Sequence, residues 1–344
     1  MKKSPPLIAL SVIGILMVAL AIQGLIFYRM VMRANVVTPD GGEVSLFIPT
    51  GASFEQVKDS LYQHQWIADK KSFETVAAYK DCADHVHPGR YILKSGMSNN
   101  RLCNMLRGGL QSPVKVTFNN IRDINMLAGR IGTQIEADSV QIVDDLSHTE
   151  RLATLGFNRQ TIPALFLPDT YEFYWNTSAT QFVDRMKAEY DKFWNAERRE
   201  KAQRQGLTPV QVSILASIVD KETNKTDEMA RIAGVYINRL KSGWLLQADP
   251  TLVFAVGDFS LKRVLNIHKE VESPYNTYKY AGLPPGPICI PSQASINAVL
   301  NAEKHNYYYF CAKDDFSGYH VFAKTLTEHN RNAQRYQRAL NRYL

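Results

Sequence analysis

A chain of 344 residues with 45% apolar and 21% charged side chains has an ordinary globular composition and enough apolar material for two or three folded domains. Its 40 Lys and Arg against 33 Asp and Glu leave a net charge of +7, a basic excess that suits an anionic partner such as a membrane surface or a cell-wall polymer. No block of five or more Lys or Arg occurs, so only net charge stands behind a nucleic-acid reading, and no nucleic acid is expected as a partner.

The first thirty residues are the most decisive. After a short leader, residues 1–6, comes LIALSVIGILMVALAIQGLIFY (Leu7 to Tyr28), in which only Ser11 and Gln23 are polar. A bilayer core takes roughly 20 apolar residues as helix, and this run is long enough. A cleaved signal peptide is the alternative, and Ala19-Leu20-Ala21 resembles a small-x-small cleavage site. The apolar stretch runs straight through it, however, whereas a signal h-region spans only ~7–15 residues. The run is therefore read as a transmembrane signal-anchor over 7–28, with Tyr28, Arg29 and Arg33 at the far interface. The short leader and the free amino terminus favour an N-in orientation, which places the rest of the chain outside the cytoplasm.

Residues 29–43 read as a linker ending in Thr38-Pro39-Asp40-Gly41-Gly42. Val44 to Ile48 alternates like a strand. Ser53 followed by Gln56 makes a capping box that starts a helix carrying Val57, Leu61 and Tyr62. A second helix fits Lys71 to Tyr79, a strand Gly89 to Leu93, and a third helix starts at Ser98. These elements make a small α+β module over 44–112. Val114 to Phe118 is a further strand and Ile124 to Ile135 a further helix. The region 113–205 is mostly helical, interrupted by the aromatic-rich LFLPDTYEFYWNTS (Leu165 to Ser178).

The last domain, 206–344, opens with Thr208-Pro209, an N-cap followed by proline at the first helical position, and its helix runs Val210 to about Thr223. A second helix is expected to begin around Asn224 to Glu228, with Thr226 as N-cap, and to end at Gly243. Beyond it the chain is loop-heavy, then a helix from Ser295, a strand Tyr307 to Cys311, and a short strand through His320 and Phe322. Cys82, Cys103, Cys289 and Cys311 are too few and too scattered for a disulfide framework and form no CxxC, so no metal site is expected. Cys289 and Cys311 either pair or remain free thiols. The fold class read from this pattern is α+β: a single N-terminal transmembrane helix, a small α+β module, then a mixed α/β domain with long loops.

Within that domain, ASIVDKET (Ala216 to Thr223) brings a greasy helical run up to two acids. Positions three, four and seven apart share a helix face, so Glu222 continues the apolar side of Leu215, Ile218 and Val219. Asp220 lies about 160° away around the axis. A carboxylate against hydrocarbon is hard to ionise, and its protonated form can give a proton to a leaving oxygen and then take one back. The bland alternative pairs Glu222 with Lys225 or Arg231 at a surface. The loops that follow shift the weight: Gln247, Asp249, Tyr275, Asn276 and Tyr278, then Leu283-Pro284-Pro285-Gly286-Pro287. Prolines stiffen a loop by fixing φ, and stiff loops bearing amides, hydroxyls and aromatic faces suit a carbohydrate groove. No HExxH, P-loop or GxSxG occurs, which disfavours metalloprotease, nucleotide-driven and α/β-hydrolase readings.

ASIVDKET, INRL (Ile237 to Leu240), LLQADPT (Leu245 to Thr251), PYNTY (Pro274 to Tyr278), GLPPGPI (Gly282 to Ile288), His320-x-Phe322 and EHN (Glu328 to Asn330), in this order, resemble the YceG-like family of endolytic murein transglycosylases. LPDTYEFY (Leu167 to Tyr174) is similar to a further family segment, and the 44–112 module resembles its LysM-like domain. The resemblance implies a lyase that cuts between N-acetylmuramic acid and N-acetylglucosamine within peptidoglycan strands, the muramyl 6-hydroxyl replacing water to leave a 1,6-anhydro end. It implies glycan strands and a membrane as partners, with cell-wall synthases as companions, and no cofactor. The family's catalytic glutamate falls on Glu222. The family's first acid is usually glutamate where this chain has Asp220, which argues against an essential role for that residue. The chemistry of these loops makes Gln247, Asp249, Tyr275, Asn276 and Tyr278 the expected substrate contacts around the groove, with Asp249 alternatively orienting Glu222 or a loop amide, and His320 stays open between a direct role and a packed turn. A non-catalytic glycan-binding adaptor and a muramidase-type hydrolase remain the alternatives.

Overall fold

The computed structural model describes residues 5–261 and 263–343. In chain order the elements are α1 (Pro5–Met32), β1 (Glu43–Ile48), α2 (Phe54–Gln63), α3 (Lys70–Tyr79), β2 (Gly89–Lys94), α4 (Asn99–Arg107), β3 (Val114–Phe118), α5 (Ile124–Gly132), α6 (Ser139–Asp145), α7 (Thr149–Leu155), β4 (Asp169–Phe173), α8 (Ala179–Phe193), α9 (Ala196–Arg204), α10 (Pro209–Glu222), α11 (Met229–Lys241), α12 (Asp249–Val256), α13 (Gln293–Leu300), β5 (Tyr309–Ala312), β6 (His320–Ala323) and α14 (Leu326–Tyr343). The strands form small two-stranded sheets, β1 with β2, β3 with β4, and β5 with β6. The fold is thus mixed α+β, as the sequence pattern indicates.

The first of two compact units runs to Lys115 and adds Gln134–Glu136 and Glu172–Thr177. In it β1 and β2 pair antiparallel, Glu43 opposite Lys94 and Ile48 opposite Gly89. Period-two alternation sends Leu46 and Ile48 of β1, and Tyr91 and Leu93 of β2, into one core with Val57, Leu61, Phe73, Leu102 and Leu106. The Ser53–Gln56 capping box forms and starts α2. α1 is the helix among the described residues that is long and apolar enough to cross a membrane, with mean hydropathy 2.5 over Ala9–Met32. The stretch 29–43, read as a linker, is instead tied into this unit. α1 continues through it to Met32, and buried Asn35 donates to Asp69 O at 2.9 Å and to Asn99 Oδ1 at 2.8 Å. Buried amides need partners, and Asn99 in turn donates to Met30 O at 2.9 Å and Ser72 Oγ at 2.8 Å, while Asn35 Oδ1 accepts from Asp69 N at 2.7 Å.

The second unit comprises Val116–Thr133, Ala137–Tyr171 and the chain from Ser178 onward. Its centre is α10, packed by α9, α11, α12 and α13. The predicted start holds: Thr208 caps it in a box with Gln211, and Pro209 takes the first turn. The burial is wider than a single apolar stripe, since Val212 through Val219 are all buried, including Ser213 and Ser217. Those hydroxyls are satisfied internally, Ser217 donating to Ile214 O at 2.7 Å and accepting from Ile288 N at 3.0 Å.

The helix expected from Thr226 begins at Met229, because residues 226–228 form a turn and the Glu228 carboxylate is engaged elsewhere. The helix placed over Ile124 to Ile135 ends at Gly132, where a Cβ would come within 2.8 Å of Ser139 N as α6 starts. All four cysteines are free thiols, and Cys289 donates to Ser217 O at 3.6 Å rather than pairing with Cys311.

Candidate active site

α10 delivers Glu222 as its last residue, at the wall of a cavity of about 600 Å³, a size ordinary for ligand sites. The cavity is lined further by α12 (Asp249, Val253, Phe254) and by Ile288 of the proline-rich loop. Three cations also line it: Lys221 beside Glu222, Arg122 from the β3–α5 connection, and Arg263 from the loop after α12.

Glu222 is only half-buried, since it lines the cavity, yet the surrounding protein excludes enough water to push its carboxyl from 4.5 up to about 7. Two neighbours trim that effect and one adds to it. The Tyr236 hydroxyl on α11 donates to Glu222 Oε1 at 2.5 Å and lowers it, the Asp249 carboxylate raises it, and the Arg239 guanidinium lowers it. Tyr236 is itself buried, and burial beside Glu222 holds its phenol well above the ordinary range, so it remains a donor. Arg239, one turn along α11, is locked by Nε donating to Tyr308 O at 2.8 Å and Nη1 donating to Leu246 O at 2.5 Å. A carboxyl that titrates near neutrality, fixed by a hydrogen bond and facing a cavity, has the properties required of a general acid that later acts as base.

The loops that carry the remaining expected residues are stitched through Thr277. Its hydroxyl accepts from Ala248 N at 3.0 Å and lies 2.8 Å from Thr251 Oγ1, while its carbonyl accepts from Gln247 N at 3.0 Å. This bracing sets α12, and with it Asp249, against Tyr278, whose hydroxyl donates to Asp249 Oδ1 at 2.6 Å. Asp249 therefore lines the cavity and Tyr278 holds it from behind. Tyr275 packs its ring on Phe254 (centroids 4.7 Å apart) and supports that wall from outside the cavity.

Asn276 is fully buried, and its amide is consumed by its own loop. Nδ2 donates to Lys269 O and Val271 O, both at 2.9 Å, and Oδ1 accepts from Tyr278 N at 3.0 Å. It shapes the loop and presents nothing to a ligand. Gln247 is exposed in the left-handed region (φ 49°) and does not line the cavity. Gly286 is required by close approach: a Cβ there would sit 2.0 Å from Gln160 O and 3.0 Å from the Tyr275 hydroxyl.

The two residues left open are accounted for by packing. Asp220 Oδ1 accepts from Ser292 Oγ at 2.6 Å and from Ser292 N at 3.3 Å, which secures the residue that caps α13. His320 Nδ1 lies 2.7 Å from Glu228 Oε2, and His320 N donates to Glu228 Oε1 at 2.9 Å, so this pair fastens the start of β6 to the start of α11. Neither lines the cavity.

Sequence reasoning missed Tyr236, Arg239, Arg122, Asn120 and Arg263. INRL brackets Arg239, and Tyr236 sits three residues before it, so an i, i+3 reading of α11 could have found that pair. Nothing local marks Asn120 and Arg122, which lie a hundred residues upstream.

The sequence profile of the YceG-like family matches residues 46–335. An endolytic murein transglycosylase of Bacillus subtilis (strain 168) is 28% identical over 92% of this chain and 91% of its own length. One from Streptococcus pneumoniae serotype 2 is 26% identical over 84% of this chain, which spans only 57% of that longer relative. A crystal structure of a yceG-like protein from Listeria monocytogenes superposes with a TM-score of 0.55 at 26% identity, covering 84% of this chain and 98% of that one. The chain belongs to the YceG-like family.

Proposed function

We propose that this chain is a membrane-anchored endolytic peptidoglycan lytic transglycosylase, of the lyase type named for its relatives. It cleaves the bond between N-acetylmuramic acid and N-acetylglucosamine within nascent glycan strands and leaves 1,6-anhydro ends, so that strand elongation stops. The observation that carries the reading is Glu222, a carboxyl pushed to about 7 at the wall of a cavity and oriented by Tyr236.

In this mechanism protonated Glu222 gives its proton to the glycosidic oxygen as the C1–O bond breaks and C1 becomes oxocarbenium-like. The muramyl 6-hydroxyl then attacks C1 and loses its proton to the Glu222 carboxylate, which restores the acid. Hydrolytic glycosidases use a second carboxylate for nucleophile or water. Here the nucleophile is part of the substrate, and proximity supplies much of what that second group would provide. Tyr236 holds one carboxylate oxygen through both steps, and Asp249 with Tyr278 forms the polar side of the groove.

The hydrolase alternative rests on one observation, that Asp249 lines the same cavity. Product analysis on uncrosslinked strands in ¹⁸O-water separates the readings. Anhydro ends without solvent oxygen support the transglycosylase; reducing ends carrying ¹⁸O support the hydrolase; intact strands retained on the protein support an adaptor. We further propose that α1 spans the cytoplasmic membrane with its amino terminus inside, that the β1–α2–α3–β2 order of the small unit makes it a LysM-like glycan-holding module, and that synthases of the same strands are its companions.

A further inference from the structure

The cations that line the cavity have no part in the proton transfer just described. Arg122, Lys221 and Arg263 line the same cavity as Glu222, yet the Glu222 carboxyl is not governed by them: the cation that lowers it is Arg239, outside the cavity. Among the described residues no acid pairs with Arg122 or Arg263. Lys221 donates to Asn120 Oδ1 at 3.3 Å and lies only at 4.0 Å from Asp220. Arg122 lies over the Phe259 ring, its guanidinium carbon 3.9 Å from the ring centre. A guanidinium over an aromatic ring still carries several N–H donors that can meet a planar anion.

A polymer of neutral sugars has no use for three cations lining the cavity of the acid, two of them without an acidic partner among the described residues, but muramic acid is not neutral. Its O3 carries a lactyl arm, on the same ring whose C1–O bond would face Glu222, and that arm ends in a carboxylate or in a peptide bearing carboxylates. We propose that Arg122, Lys221 and Arg263 form a subsite for a carboxylate on the lactyl arm of the muramic acid being cleaved, and that this subsite selects which sugar presents its glycosidic bond to Glu222. The inference rests on the glycan-cleaving reading above and adds to it the group that sets register along the strand.

The test uses the full chain in detergent, carrying Glu222→Gln so that strands bind without turnover. Three probes are compared: strands with intact stems, strands stripped by an amidase so that the lactyl carboxylate is free, and intact strands whose carboxyls have been converted to primary amides. Exposed ion pairs are individually weak, so the expected preference for intact over amidated strands is roughly three- to tenfold, declining with salt. Adding Arg122→Gln and Arg263→Gln is expected to reduce that preference to within twofold. A preference for intact strands places a stem carboxylate in the subsite, since their lactyl carboxyl is an amide; stripped strands binding like intact ones show that the freed lactyl carboxylate is accepted as well, and stripped strands binding like amidated ones restrict the subsite to a stem carboxylate.

Equal binding of intact and amidated strands, a preference that survives the two arginine changes, or binding of neither would overturn the inference. Its failure is distinct from failure of the parent reading. Anhydro ends released from amidated strands by the unmutated chain uphold cleavage even where the preference is missing, and their absence from every strand removes cleavage while the binding comparison still decides the subsite.

Discussion

Replacing Tyr236 by Phe removes one oxygen and one hydrogen bond while keeping the ring that α11 packs beside Phe310. The lost bond is the 2.5 Å donation to Glu222 Oε1, the largest influence acting against desolvation on that carboxyl. A donor to a carboxylate stabilises the charged form, so its removal raises the Glu222 pKa further above about 7. A hydrogen bond to a charged group contributes about 1.5–3 kcal/mol. The protonated acid keeps part of it, so the differential is nearer 1–2 kcal/mol, or about one pH unit. Activity requires the protonated acid at the start of the cycle. The alkaline limb of the kcat/KM profile should therefore fall near pH 7 in the unmutated protein and about one unit higher in Tyr236→Phe. Release of anhydro ends from uncrosslinked strands, followed from pH 5 to 9, reads this directly. A limb that stays in place, or moves to lower pH, would refute the assignment of Tyr236 as the residue that positions and tunes Glu222.

Glu222→Gln should stabilise the chain at pH 8 by about 1–3 kcal/mol, because a carboxyl raised from 4.5 to about 7 disfavours folding once it must be charged. That gain should vanish below pH 4.5, where both states are protonated, and thermal unfolding at the two pH values checks it. Asp220→Ala removes the acceptor for both Ser292 donors and should cost about 1–2 kcal/mol of stability in denaturant titration, while the alkaline limb stays at its original pH. Gly286→Ala drives a Cβ to 2.0 Å from Gln160 O, a backbone atom, and should cost about 1–3 kcal/mol together with a rise in KM as the proline-rich loop shifts. A variant as stable as the parent would show that this loop gives way easily.

How far the site could be read in advance depended on whether the signal was local. Helix phase alone put Glu222, rather than Asp220, on the side that meets the cavity, and the caps at Ser53 and Thr208 fixed two helix starts. Phase does not say how deep a helix lies: α10 is buried almost all round, and Asp220 is partly buried as well, its carboxylate accepting from Ser292. Residue chemistry does not say which way a side chain points. Asn276 looked like a sugar contact because amides bind hydroxyls, but two loop carbonyls take both its donors. Tyr236 and Arg239 act only because α11 packs on α10, and Arg122 only because the β3–α5 connection returns to the cavity. Such meetings are tertiary, and no short stretch of sequence encodes them.

The central claim is that a single carboxyl, Glu222, both delivers the proton and recovers it. The most direct measurement is mass spectrometry of uncrosslinked strands after incubation with the unmutated chain and with Glu222→Gln, side by side. The account predicts 1,6-anhydromuramyl ends with the former and a loss of at least about a hundredfold in their formation with the latter, as removal of an acid–base group entails. Anhydro ends formed at an undiminished rate by Glu222→Gln would contradict it.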